Sequence, residues 1–126
     1  MHENEIATIV FKCAIEVHKK FGPGLLENVY DVCLAHKIRE MGLLVDCQVG
    51  LPVSFENVRL QAGYRLDQLI EKKVVVEVKA VEGLNEIHFA QVLTYLKLSS
   101  CKLGLLINFN SLLLKNGVRR VINGNL

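Results

Sequence analysis

The sequence is short of several things at once. Glycine and proline together fill only 11 of 126 positions, and 15 basic against 13 acidic residues leave a net charge of just +2. With hydrophobic residues at 51%, this scarcity excludes a disordered chain, a collagen-like repeat and a disulfide-stapled miniprotein. No run of about 18 apolar residues occurs, so no segment is expected to span a membrane. The start, Met1-His2-Glu3-Asn4-Glu5, is acidic and lacks a signal-peptide layout, which points to a cytoplasmic protein. Cys13, Cys33, Cys47 and Cys101 form no CxxC pair and no metal-finger spacing; their apolar neighbours predict buried free thiols. A surplus of two basic charges is too small to announce a nucleic-acid partner. Aspartate is scarce as well: only Asp31, Asp46 and Asp67. Their positions therefore matter more than the total.

What is present fits one domain over residues 1–126. Ile6, Val10, Cys13 and Val17 recur at helical spacing, predicting a helix from Asn4 to Phe21 with Asn4 as its N-cap. Gly22-Pro23-Gly24 breaks it. A second helix is expected from about Leu25 to Met41, with Leu26, Val29, Cys33, Ile38 and Met41 facing inward. Strand signals follow at Pro52 to Phe55, a turn at Glu56-Asn57, and alternation from Val58 through Leu60, Ala62 and Tyr64 to Leu66, a half-buried strand. After Glu71-Lys72-Lys73 comes the strongest strand, Val74 to Ala80. A helix from about Leu84 to Ser99 and an apolar strand from Leu103 to Phe109 complete the pattern. The tail after Ser111 reads equally as a short strand or as coil. Hairpin-linked strands followed by a helical crossover mean a mixed sheet with helices packed on it.

Several polar residues sit awkwardly in that plan. The strand from Val74 puts Val75, Glu77 and Lys79 on one face, which is either a wet face or a functional one. A three-residue loop at Glu71-Lys72-Lys73 sets Asp67 opposite Glu77, whereas a two-residue loop would bury Asp67 among valines. The favoured register brings two carboxylates within about 5 Å at Cβ. Their repulsion is relieved by a divalent cation, and paired carboxylates are hard oxygen ligands suited to Mg2+ or Mn2+. On the next helix, His88, Gln91, Tyr95 and Ser99 form one stripe, either its solvent face or a substrate-facing edge. Glu27, in the first turn of the second helix with Tyr30 one turn on, suits the helix dipole and suits an active site equally. Asp31 and Asp46 read as surface residues.

Gly24-x-x-Glu27-x-x-Tyr30 resembles the signature of the GxxExxY family of small prokaryotic proteins. So do Gly63-Tyr64, Leu66-Asp67-Gln68-Leu69, Val76-Glu77-Val78-Lys79-Ala80, His88-x-Ala90-Gln91 leading to Tyr95-Leu96, and Gly104 to Phe109. The resemblance runs from Ile6 to Ile122. That family is placed in the PD-(D/E)XK nuclease superfamily, which implies a restriction-endonuclease-like α/β domain. Its αβββαβ core has a mixed central sheet flanked by helices, here with an extra N-terminal helix. The resemblance further implies that Asp67, Glu77, the Val78 carbonyl and Glu27 hold Mg2+ or Mn2+, and that Lys79 positions or activates the attacking water. Gln91 and Tyr95 resemble the Gln-x-x-x-Tyr element of RecB-type nucleases; with Tyr30 and His88 they are the expected substrate-binding residues. Leu66 stands where the superfamily's name has proline.

The expected function is thus a metal-dependent phosphodiester hydrolase, a nuclease with DNA ahead of RNA as partner. The alternative is a non-catalytic nucleic-acid- or protein-binding module on the same fold. Arg59, Arg65, Lys72, Lys73, Arg119 and Arg120 are candidates for phosphate contacts. Edge strands and the Leu112-Leu113-Leu114 run offer a route to a homo-oligomer.

Overall fold

The computed structural model describes residues 1–126, the side chain of Ala62 excepted. Helices α1 (Glu3–Phe21) and α2 (Glu27–Glu40) precede strands β1 (Val45–Phe55), β2 (Val58–Ile70) and β3 (Val74–Lys79). Helix α3 (Glu86–Ser99) leads to β4 (Leu103–Asn108), and a 3₁₀ turn (Leu114–Gly117) leads to β5 (Val118–Ile122). The tail thus forms a strand. All five strands make one sheet in chain order, with β3 and β4 parallel and the other neighbours antiparallel. Helix α3 is the crossover that parallel pairing demands. No described helix is long and apolar enough to cross a membrane.

Both faces of the central strands are covered. Val74, Val76 and Val78 of β3, with Leu103, Leu105 and Ile107 of β4, bury against α1 and α2. Val75 and Leu106 bury on the opposite face with Leu51, Leu66 and the α3 residues Val92, Tyr95 and Leu96. The face of Val75 and Glu77 is therefore not wet, and the fold has three layers. Gly104 lets α3 settle closely: a Cβ there would lie 2.7 Å from Val92 Cγ1.

Three expectations about the elements need correction. The N-cap of α1 is His2, not Asn4: its Nδ1 accepts the Asn4 N–H at 2.9 Å while Glu5 accepts the His2 N–H at 3.0 Å. Helix α2 starts at Glu27 and buries Tyr30, Asp31, Leu34, Ala35 and Ile38. Of the residues expected inward only Ile38 is fully buried; Cys33 is partly so, while Leu26, at 78%, Val29 and Met41 are exposed. The helix carries two apolar stripes, and periodicity cannot say which one meets the sheet. The Tyr30 ring decides it by stacking on Phe109, centroids 4.6 Å apart and planes 7° from parallel.

The third correction concerns the β1–β2 hairpin. Its outer half passes the end of β3, so Val58, Leu60 and Tyr64 are exposed and only Leu66 is fully buried. Ala62, expected on the same face, has a side chain outside the described residues. Phe55 and Val58 pair across the Glu56-Asn57 turn as expected, and Pro52 is tolerated because β1 is an edge strand. All four cysteines are free, but only Cys13 and Cys101 are buried; Cys33 is partly buried and Cys47 is exposed.

Candidate functional site

The β2–β3 ladder pairs Ile70 with Val74, Leu69 with Val75 and Gln68 with Val76, across a turn in which Glu71 and Lys72 take positive φ. This is the three-residue connection, and its register sets Asp67 opposite Glu77. At that point the main-chain ladder stops. The Asp67 N–H donates to Glu77 Oε2 at 2.7 Å, and the Val78 N–H donates to Asp67 Oδ2 at 2.8 Å. Strand β2 is leaving β3 to enter the hairpin arm, and the backbone donors so released are met by carboxylates instead of carbonyls. The two acids expected together are together, at the carboxyl end of the parallel strands, where open α/β sheets bind ligands.

Their environment is costly for negative charge. Glu77 is 4% exposed; burial, then the neighbouring Asp67 charge, pushes its carboxyl up to about 8. Asp67, half-buried, is pushed up to about 6, first by burial, then by the charges of Asp31 and Glu27, against the lowering effect of the Val78 N–H. Lys79, half-buried at the end of β3, pulls both back toward ionisation. Without a cation, one proton between two carboxyls is the favoured state near neutrality.

A divalent cation suits this donor set. Each acid gives one oxygen to a backbone N–H and keeps the other for a ligand. Among the described residues, no three His, Cys, Asp or Glu side chains converge on a single metal position. A cation held by two carboxylates completes its shell with water. Asp67 and Glu77 are the side chains that would hold it, with the Val78 main chain alongside.

Other residues close around the pair from both layers. From α3, the buried Tyr95 hydroxyl is raised by burial and by the charges of Glu77 and Asp67. Gln91, one turn earlier, is partly buried on the same side of the helix. Tyr64, on the hairpin arm and half-exposed, lies against Tyr95 with centroids 5.6 Å apart at 59°. Tyr64 is not among the expected site residues, although Gly63-Tyr64 belongs to the segments that carry the family resemblance. From α2, Glu27 is exposed, and its charge reaches Asp67. Asp31, one turn further, is not a surface residue: it is 8% exposed and bound to Gln68 and Gln48. Its i+4 spacing from Glu27 was the available signal.

Two expected substrate contacts have other occupations. Tyr30 is fully buried, and its hydroxyl donates to Gly22 O at 2.5 Å and accepts the Leu25 N–H at 3.0 Å. It has no surface left for a substrate. His88 is the third residue of α3; its Nδ1 accepts the Asn85 N–H while Asn85 Oδ1 accepts the His88 N–H, both at 3.1 Å. One ring nitrogen is thereby committed to helix capping.

The basic residues do not gather in one patch. Lys72, paired with Asp46 at 2.8 Å, and Lys73 lie in the turn at the start of β3, ~20 Å from Lys79 at 3.3 Å per residue. Arg119 and Arg120 lie on β5, two strands away from β3. Arg65, two residues before Asp67, is the one of the six placed by the chain beside the carboxylates.

The family model described as the PD-(D/E)XK nuclease superfamily matches residues 4–121. No curated protein and no solved structure matches the chain. The superfamily's nucleases generally use divalent metals and act on nucleic acid, and the mixed sheet between helical layers fits their restriction-endonuclease-like α/β fold. By the length of this match and by its fold, the chain belongs to the PD-(D/E)XK nuclease superfamily.

Proposed function

We propose that the chain hydrolyses phosphodiesters of DNA with Mg2+ or Mn2+ held by Asp67 and Glu77. The observation that supports this most is the exchange of the β2–β3 ladder for two carboxylates, buried side by side at the mouth of the strands with Lys79 next to them. A bound divalent cation supplies Lewis acidity and neutralises charge developing on phosphate. The chain's own residues do the rest. Asp67 and Glu77 are fixed by their N–H bonds, so they present their remaining oxygens without reorganising. The Val78 carbonyl is a third ligand. Lys79 orients the attacking water or steadies the phosphate. Gln91 and Tyr95 support the substrate strand from α3, and Glu27 completes the site from α2.

One observation favours a second reading. The two acids satisfy backbone donors, and a shared proton relieves their repulsion, so the cluster stands without metal. A non-catalytic binding module on this fold would look the same. Calorimetric titration of Mn2+ into the wild type and Glu77→Ala separates the two. The nuclease reading expects a one-site isotherm that the substitution abolishes, and then cleavage within a panel of single-stranded, duplex and branched DNA and RNA. A wild type that binds no Mn2+ sinks it.

A further inference from the structure

A buried carboxylate that neither the match nor the proposed chemistry uses sits behind this pair. Asp31 Oδ1 accepts from Gln68 Nε2 at 2.7 Å, its main-chain oxygen accepts from the same nitrogen at 2.9 Å, and its Oδ2 accepts from Gln48 Nε2 at 3.3 Å. Gln68 is fully buried, and its Oε1 has no partner among the described residues. The amide is therefore oriented by Asp31 alone, with its oxygen unsatisfied. Such an arrangement is poor stabilising design, because a buried acceptor without a donor costs free energy that an apolar side chain would not.

Its position gives it a use. Gln68 follows Asp67 on β2, and Gln48 lies on β1 between the pairs Cys47–Gln68 and Val49–Leu66, with φ at 52°. Before that level the hairpin contributes Val45 and Ile70 to the α1–α2 core; beyond it, Val49, Leu51 and Leu66 join the α3 core. The hairpin changes faces at the level of Gln48 and Asp67, where β2 also parts from β3. A twist point with its ladder interrupted is loose unless something grips it. Asp31 grips both strands there and ties them to α2.

Resting on the cation site proposed above, we propose that Asp31 is a positioning residue: its clamp on Gln68 and Gln48 fixes the turn of the hairpin that aims Asp67 at the cation. Asp31 does not itself touch the cation in this assignment. Its buried charge is retained because an apolar replacement would leave the hairpin free to twist at Asp67.

The test compares Mn2+ affinity by calorimetry with the thermal midpoint of the cation-free protein, for wild type, Asp31→Leu and Gln48→Ala. Asp31→Leu removes the side-chain acceptor of both amides; Gln48→Ala releases β1 alone and keeps the Asp31 charge. Outer residues that orient ligands typically govern about 10- to 100-fold in metal affinity. The expected result is a loss of that size in Asp31→Leu with the midpoint unchanged or raised, and a smaller loss in Gln48→Ala. A loss in Asp31→Leu with Gln48→Ala at wild-type affinity assigns the effect to the Asp31 charge and overturns the clamp. Mn2+ affinity within about twofold of wild type in Asp31→Leu overturns the proposal while leaving the cation site standing. A lowered midpoint with unchanged affinity overturns it too, as a purely structural role. A wild type that binds no Mn2+ removes the cation site, and this assignment with it.

Discussion

The two ends of the β2–β3 hairpin use the same residue types in opposite ways. At the turn, three regular main-chain pairs close the ladder, and the bases are exposed while the acids are partly so: Lys72 meets Asp46 at 2.8 Å, and Glu71 accepts the Leu44 N–H at 2.6 Å. At the far end, the ladder is closed by Asp67 and Glu77 themselves, and their carboxyls are forced upward by burial. Charge at the turn is ordinary surface solvation. At the open end it is held where water cannot screen it, and that is where a cation or a developing charge gains most.

The sharpest way to break that contrast is to remove one charged group from each end. Glu77→Ala should lower kcat/KM for DNA cleavage on the order of 10³-fold or more, about 4 kcal/mol of transition-state stabilisation. Lys72→Ala, breaking an ion pair whose lysine is exposed and whose aspartate is partly so, should leave cleavage alone and shift stability by about 1 kcal/mol or less. Equal effects in a steady-state assay would mean that the two ends are not chemically distinct.

Lys79 sharpens the same comparison from the basic side. Lys79→Ala should cost about 10²-fold in kcat, the usual scale for a positioned proton-transfer or charge-stabilising group. Mn2+ affinity should hold or rise, since the removed charge opposes a cation. A fall in calorimetric affinity instead would place Lys79 among the groups that build the cation site.

The open end should also betray itself in pH-dependent stability. Both carboxyls lie above the usual carboxylate range when folded. Below about pH 4 they are protonated in folded and unfolded chains alike, and their burial carries no charge penalty. As pH rises the unfolded chain ionises first, so the cation-free protein loses stability, through about 6 for Asp67 and about 8 for Glu77. Thermal melts should show the midpoint falling across this window, Glu77→Gln flattening the fall, and Mn2+ restoring more at the alkaline end. A flat profile in the wild type would contradict the buried state of the pair.

How much of this could be read from the residues divides along the same line. The β2–β3 register was legible because only one loop length keeps Asp67 out of the valine face, and β3 announces itself by composition. The α1–α2 corner was not. Leu26, Val29 and Cys33 offer a stripe as apolar as Tyr30, Leu34 and Ile38, and choosing it turned Asp31 outward. Which stripe wins depends on Phe109, some eighty residues downstream, and no local pattern contains that contact. The hairpin arm failed for a similar reason: alternation predicts a half-buried strand, but Val58 and Leu60 extend past the strand that would have covered them. Period reveals that a face exists; burial needs the neighbour.

Tyr30 tests that lesson at the smallest scale. In the Gly24-x-x-Glu27-x-x-Tyr30 segment, Glu27 and Tyr30 look like one functional unit, yet the structure sends them to different places. Glu27 is exposed beside the acids, while Tyr30 is buried against Phe109, with its hydroxyl bridging Gly22 O and the Leu25 N–H. Tyr30→Phe keeps the stacking and deletes only the bridge. It should cost about 1–3 kcal/mol of stability by leaving a buried loop donor and acceptor unmet, read as a lowered denaturation midpoint. Below that midpoint, kcat and KM should match the wild type, because the loop is tied through the core and not through substrate. A variant of normal stability with a raised KM would return Tyr30 to the substrate surface, and would mean that the corner between α1 and α2 opens when nucleic acid binds.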